Sequence, residues 1–276
     1  MAILLLSSAP AWAQQRIVTV GGDVTETVFA LGAGPKVVAT DTTSHYPLAV
    51  EDLPKVGYLR GLSAEGLLSI RPDLIIISGA AGPETTLELL RGSGVNIVEF
   101  ASEYHPRIIH QKIDGIAKAL QRTAAAPAIH RQVDTDLQRL AQATPQLGSD
   151  RTMLFFATLS DGAPRAAGRD TAAQGLIDLL GGTNVFAQRS GYQSLSLEAA
   201  VQAEPDWIFV LRNYAMQDSS AAQAARHPAL ALTRAAREGR IFMVDVEPLL
   251  QFSPRTPAAA LELLQTMLRQ KPPSQR

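Results

Sequence analysis

Short, unbroken apolar runs alternate with stretches in which apolar residues recur every three or four positions, along the length of the chain. Residues 16–20 (RIVTV) are β-branched and read as a strand. Gly21 and Gly22 then turn the chain into a helix with apolar positions at Val24, Val28, Phe29 and Leu31, closed by Gly32 and Gly34. A second strand begins at 37–39, and a polar loop at 41–54 (DTTSHYPLAVEDLP) leads into 56–78, VGYLRGLSAEGLLSIRPDLIIIS. There Ser63 is a good N-cap, and Glu65 in the first turn suits the helix dipole. Leu67, Leu68 and Ile70 form the apolar face, Pro72-Asp73 stops the helix, and 74–77 reads as a strand covered on both sides. A helix at 84–91 and a strand at 95–100 follow, then helices at 105–122 and from Pro127 to 143. The latter carries Ile129, Val133, Leu137 and Leu140, and at 1.5 Å per residue it spans roughly 25–28 Å, enough to lie along two lobes and connect them.

Residues 152–157 open the second half as a strand, followed by a Gly/Pro loop at 162–170 (GAPRAAGRD). A polar, Ala-rich loop and helix (213–227), a strand (241–244), a helix begun by Pro257 (256–269) and a frayed tail (271–276) complete it. Strands alternating with helices predict parallel α/β sheets. One pattern occurs twice. LSLEAAVQAEPDWIFV at 195–210 lies without a gap over LSAEGLLSIRPDLIII at 62–77, pairing Ser63 with Ser196, Glu65 with Glu198, Pro72 with Pro205 and Asp73 with Asp206. A looser echo relates GGDVTETVFALGAG from Gly21 to GRDTAAQGLIDLLGG from Gly168. The chain is read as two related lobes, and 276 residues exceed what a single core usually organises.

A hydrophobic content of 46%, a charged content of 18% and a net charge of −1 describe an ordinary globular protein, with no electrostatic case for nucleic acid or an anionic membrane. Cys is absent, which excludes zinc-type clusters and a lipid anchor on cysteine. Ala11-Trp12-Ala13 after an apolar run has the form of a signal peptidase site, predicting a mature start near Gln14 and export. No GxGxxG, P-loop, HExxH or GxSxG motif is present, no acid/base pair stands out, and no enzyme is expected.

Two α/β lobes form a binding architecture, because ligands sit outside the carboxyl ends of parallel strands. The repeat equates Ser78-Gly79 with Leu211-Arg212, so Arg212 lies at such an end, as a ligand contact or as a solvated charge. Tyr58 and Arg60, in an extended loop, would point the same way. A neighbouring cation favours phenolate, a hard ligand suited to ferric iron, and Tyr is a known haem ligand. On the residues alone, most Gly-Tyr loops simply pack the ring at the surface, and the pair by itself does not establish iron ligation. Glu65 and Glu198 are either dipole partners or paired acidic knobs for a two-fold symmetric partner.

VGYLRGLSAEGLLSIRPDLII, with DTTSHYP before it and SPRTPAA at 253–259, resembles the periplasmic haem-binding proteins of bacterial ABC importers and, more widely, the cobalamin- and siderophore-binding proteins. The resemblance implies a class III periplasmic binding protein: α/β, two pseudo-symmetric lobes with mostly parallel sheets, joined by one long helix. It implies a leader remnant at 1–13, an N-terminal lobe at 14–122, a linking helix at 123–145 and a C-terminal lobe at 146–276. The expected protein is a periplasmic monomer that holds ferric haem between its lobes as cargo and delivers it to an inner-membrane permease dimer. Tyr58 would be the axial ligand and metal contact, with Arg60 its partner. Arg212 would contact a propionate, Arg255 of the Pro-Arg-Thr-Pro element would contact haem or brace the lobe, and Glu65 and Glu198 would engage permease arginines. Relatives with a second, histidine ligand carry it in a loop that here, at 160–170, has no His, so five-coordinate haem is expected. Ser253 replaces the family's usual Gly. A ferric siderophore or cobalamin in the same cleft is the competing expectation.

Overall fold

The computed structural model describes residues 15–149, 151–159, 164–212 and 220–270. The leader, the tail at 271–276, part of the 160–170 loop and the start of the 213–227 segment lie outside them. The chain divides into two compact units, one within Met1–Ser102 with Lys112–Ala126, the other Glu103–Gln111 with Pro127–Arg276.

In the first unit, β1 (Ile17–Val20), α1 (Gly22–Ala30), β2 (Val37–Thr40), α2 (Ala64–Ser69), β3 (Leu74–Ile77), α3 (Glu84–Arg91) and β4 (Asn96–Glu99) follow one another. The sheet order is β2-β1-β3-β4 and every pairing is parallel. All residues of β1 and β3 are buried, as in strands covered on both faces, and Thr19, the one polar residue among them, accepts from Thr25 Oγ1 at 2.8 Å. Val18, Val20, Leu67, Ile75 and Ile77 share one core with Val56 and Leu62, which flank the Tyr58 segment. Helices α4 (Pro106–Ala119) and α5 (Ala126–Ala143) come next, close to their expected bounds.

The second unit contains β5 (Thr152–Thr158), β6 (Arg165–Ala167), α6 (Ala172–Leu179), β7 (Thr183–Asn184), β8 (Tyr192–Ser194), α7 (Leu197–Gln202) and β9 (Trp207–Leu211). Short helices α8 (Ala221–Arg226), α9 (Pro228–Ala231) and α10 (Arg234–Arg237) precede β10 (Ile241–Val244), α11 (Val246–Leu249) and α12 (Thr256–Gln270). Its sheet runs β10-β9-β5-β6-β8 with β7 beside β5. The β10, β9, β5 and β7 pairings are parallel, whereas β6 pairs antiparallel with β5 and β8. The sheets are mostly parallel as expected, but the reading of 162–170 as loop is corrected, because Arg165–Ala167 forms a strand within it. Three residues are too few to show a period, and their pairing with Tyr192–Ser194 is non-local.

The duplication extends to hydrogen bonds. Ser63 caps α2 by accepting from Gly66 N, and Ser196 caps α7 by accepting from Ala199 N. Before the matching prolines, Arg71 and Glu204 both take left-handed conformations, at φ 54° and 42°. Asp73 accepts from the Arg16 backbone N–H at 2.8 Å where β1 begins, and Asp206 accepts from the Thr152 backbone N–H at 3.0 Å where β5 begins. Each Pro-Asp thus secures the start of one strand against its neighbour.

Candidate ligand-binding site

Tyr58 lies on a segment that extends the first sheet at its carboxyl end. Lys55 forms a parallel bridge with Thr40, the last residue of β2. Beyond it, the Thr42 N–H donates to the Gly57 carbonyl at 2.9 Å. Gly57 takes φ +105°, a conformation that side-chain-bearing residues rarely adopt. The chain then turns: the Gly61 N–H donates to the Tyr58 carbonyl at 2.8 Å, closing a β-turn with Leu59 and Arg60 at its centre. The far side is laced to the loop after β3, with Gly82 N donating to Leu59 O and Leu62 N to Gly82 O, both at 3.0 Å. Val56 and Leu62 are buried, Leu59 packs partly against the same core, and Tyr58 and Arg60 are exposed.

This corrects the extended-loop reading. Residues two apart share a side in extended chain, and a β-turn breaks that relation. Among the described residues, no hydrogen bond or cation–π contact joins Arg60 to Tyr58. What the turn preserves is the display: apolar neighbours anchor it, and Tyr58, 54% exposed, stands outside the core.

At the carboxyl ends of β1, β2 and β3 lies a buried polar layer that the sequence reading did not single out. Asp41, fully buried, accepts from the Gly21 N–H at 2.8 Å, the Ser44 hydroxyl at 2.6 Å and the Thr43 N–H at 2.8 Å, and also from the Thr43 hydroxyl. Lys55 donates to the Ser44 and Val50 carbonyls at 3.1 and 3.0 Å, clamping the base of the 44–50 loop. Asp23 pairs with buried Lys112 at 2.6 Å and accepts from Ser78 Oγ at 3.0 Å. Asp41 follows a β-strand directly and heads an Asp-Thr-Thr-Ser run, a local turn signature. Its link to Gly21 has no signature in the sequence.

In the second unit, Arg212 follows β9 at its carboxyl end, as the repeat predicted. Its backbone N–H donates to Val244 O, and its Nε donates to Asp245 Oδ1 at 2.7 Å. Asp245, at the end of β10, therefore orients the guanidinium. Arg255 is half-buried in the segment before α12, where the Ser253 N–H donates to Thr256 Oγ1 at 3.0 Å and Thr256 Oγ1 donates to Pro248 O at 2.7 Å. Ser253 itself is fully buried. Glu65 and Glu198 are exposed in the first turns of α2 and α7. Two histidines that sequence spacing kept apart come together: His110 and His130 join through their Nδ1 atoms at 2.7 Å, and His110 Nε2 lies 3.2 Å from Asp134. Because His110 faces these partners with opposite ring nitrogens, the three do not converge on one ion. Among the described residues, no group of three His, Asp or Glu side chains is placed to hold a metal.

A profile of the periplasmic binding protein family matches residues 17–248. The chain belongs to that family. Periplasmic binding proteins are solute carriers that work with ABC permeases, not enzymes. Among solved structures, this one resembles the periplasmic heme-binding protein RhuT from Roseiflexus sp. RS-1 in its apo form, at 33% identity and a TM-score of 0.86, over 93% of this chain and 99% of that one. It equally resembles the periplasmic heme-binding protein BhuT in complex with two hemes, at 34% identity and a TM-score of 0.86, over 93% and 99% of the two chains. Among characterised sequences, the Vitamin B12-binding protein of Yersinia pestis (strain Pestoides F) is 29% identical over 232 residues, 80% of this chain and 79% of that one. These relatives thus include both haem-binding and vitamin B12-binding proteins. No described helix is long and apolar enough to cross a membrane.

Proposed function

We propose that this periplasmic binding protein carries ferric haem, with the Tyr58 phenolate as axial ligand, and delivers it to an inner-membrane ABC permease. The observation that carries the reading is the braced turn, which holds an exposed phenol at the carboxyl edge of a parallel sheet, where ligands of such sheets bind. The donor chemistry agrees. A bare ion needs several converging protein ligands, and the described residues offer no such His/Asp/Glu group. Haem brings its own equatorial nitrogens and needs one protein donor, a role Tyr fills elsewhere. Similarity above 30% to two heme-binding structures supports the same cargo.

In this reading Arg60, exposed in the same turn as Tyr58, supplies positive charge that attracts propionates. Arg212, oriented by Asp245, is a propionate contact, and Arg255 braces its segment or reaches the same ligand. Glu65 and Glu198 dock on permease arginines. Export to the periplasm through a leader at 1–13 and a monomeric state complete the proposal.

Cobalamin is the second reading, favoured by the similarity to the Yersinia protein. Parallel titrations with hemin and cyanocobalamin separate the two. The haem reading expects hemin to bind tightly, Tyr58→Ala to weaken it by more than the ~10-fold that loss of an outer partner of a metal ligand typically costs, and cyanocobalamin to compete poorly. Tight cyanocobalamin binding that ignores Tyr58→Ala would transfer the cargo to cobalamin.

A further inference from the structure

The peptide planes on either side of the Tyr58 Cα are both held. The Gly57 carbonyl accepts from Thr42 N at 2.9 Å, and the Tyr58 carbonyl accepts from Gly61 N at 2.8 Å. Peptide groups are rigid, so fixing both planes fixes the Cα–Cβ direction and leaves only side-chain rotamers to choose. The second bond lies within the turn. The first depends on where Thr42 is placed, and Thr42 follows Asp41.

Asp41 is fully buried and takes donors from several directions. Its Oδ2 accepts from the N–H and hydroxyl of Thr43, which winds 41–43 into a local turn. Its Oδ1 accepts from Gly21 N and from Ser44 Oγ, which itself lies 2.9 Å from Thr25 Oγ1 on α1. Through these bonds the end of β1, the first turn of α1 and the start of the 41–54 loop are locked together. The Thr42 N–H is presented to Gly57 from that lock. We infer that Asp41 is the positioning residue for the Tyr58 ligand, acting through Thr42 and Gly57. This inference rests on the haem-carrier reading. A carboxylate suits the position because it only accepts and each of these partners donates. Asn would set an amide N–H₂ against at least one of those donors.

A double-mutant cycle in hemin affinity tests this, using the full chain as wild type, Asp41→Asn, Tyr58→Phe and the double variant. Asp41→Asn is expected to weaken hemin ~10-fold when Tyr58 is present, as second-layer partners of metal ligands do, and by under ~2-fold in the Tyr58→Phe background. The iron–phenolate absorption of the hemin-loaded protein should fall in step. If Asp41→Asn does not fold, Thr43→Val, which removes only one hydroxyl donor to Oδ2, carries the same cycle with a smaller coupled loss. Equal losses in both backgrounds would assign Asp41 a merely structural role and overturn the inference, as would no loss in either. Failure of the haem reading looks different: wild type and Tyr58→Phe would then bind hemin equally, and the inference would fall with it.

Discussion

The matched Pro-Asp elements occupy equivalent positions yet should contribute unequally, and Asp206→Ala against Asp73→Ala measures the difference. Asp206 is buried at 7% exposure, and its Oδ2 accepts from the Thr152 backbone N–H at 3.0 Å and the Thr152 hydroxyl at 2.6 Å. Its Oδ1 pairs with Arg234 at 3.0 Å, a partly exposed contact. Bonds to a charged acceptor contribute ~1.5–3 kcal/mol each, and losing the acceptor strands donors that have little access to water. The Arg234 pair adds under ~1 kcal/mol because solvent screens it. Such terms are not additive, and ~3–4 kcal/mol is expected for Asp206→Ala. Asp73 is exposed, and the Arg16 N–H it accepts from can turn to water, so its removal should cost ~1 kcal/mol or less. Trp207, adjacent to Asp206 and fully buried, supplies the assay through its fluorescence in urea unfolding of the second unit. Far-ultraviolet circular dichroism follows the whole chain. An unchanged m-value with a lowered midpoint would locate the effect in stability. Equal losses for the two variants, or a loss under ~1 kcal/mol for Asp206→Ala, would refute the claim that buried donor satisfaction sets the difference.

Gly21→Ala should destabilise the first unit by ~2–3 kcal/mol, since φ is +110° there and a Cβ would lie 2.5 Å from Ser78 Cβ and 2.7 Å from Asp23 Oδ1; a midpoint shift in thermal unfolding checks it. The Glu51 carboxyl lies below its ordinary pKa, chiefly through its hydrogen bond with His45, with burial opposing and the charges of His45 and Lys55 assisting. A depressed folded pKa means that the pair's stabilisation is complete above the unfolded carboxyl's pKa and is lost as pH falls through the depressed value. An NMR titration of His45→Ala should accordingly show the Glu51 pKa moving up toward its ordinary value, and an unmoved pKa would reject the pairing. Charge reversal of Glu65 and Glu198 together should reduce stimulation of the reconstituted permease ATPase while leaving hemin affinity within ~2-fold, because both carboxylates stand on exposed first turns.

Local chemistry made much of this fold legible. Ser63 and Ser196, Pro72-Asp73 and Pro205-Asp206 act within a few residues of themselves, so the duplicated helix–strand could be read from the chain, and the structure adds matching left-handed residues at Arg71 and Glu204. Apolar continuity at 74–77 and 207–210 marked the covered strands for the same reason. What escaped depends on distant partners. The Tyr58 segment, between two glycines, is compatible with extended chain or a turn, and bonds to Gly82 and Thr42 accompany the turn. Asp41 looks like an ordinary loop aspartate until Gly21 is brought against it. The strand at Arg165–Ala167 is too short for a period and exists through its pairings with β5 and β8.

The most direct test of the central claim is resonance Raman spectroscopy of the hemin-loaded protein, excited in the phenolate-to-iron charge-transfer band. If Tyr58 is the axial ligand, tyrosinate ring modes will be enhanced in the wild type and absent in Tyr58→Phe. A wild-type spectrum without those modes, or one that persists unchanged in Tyr58→Phe, would contradict it.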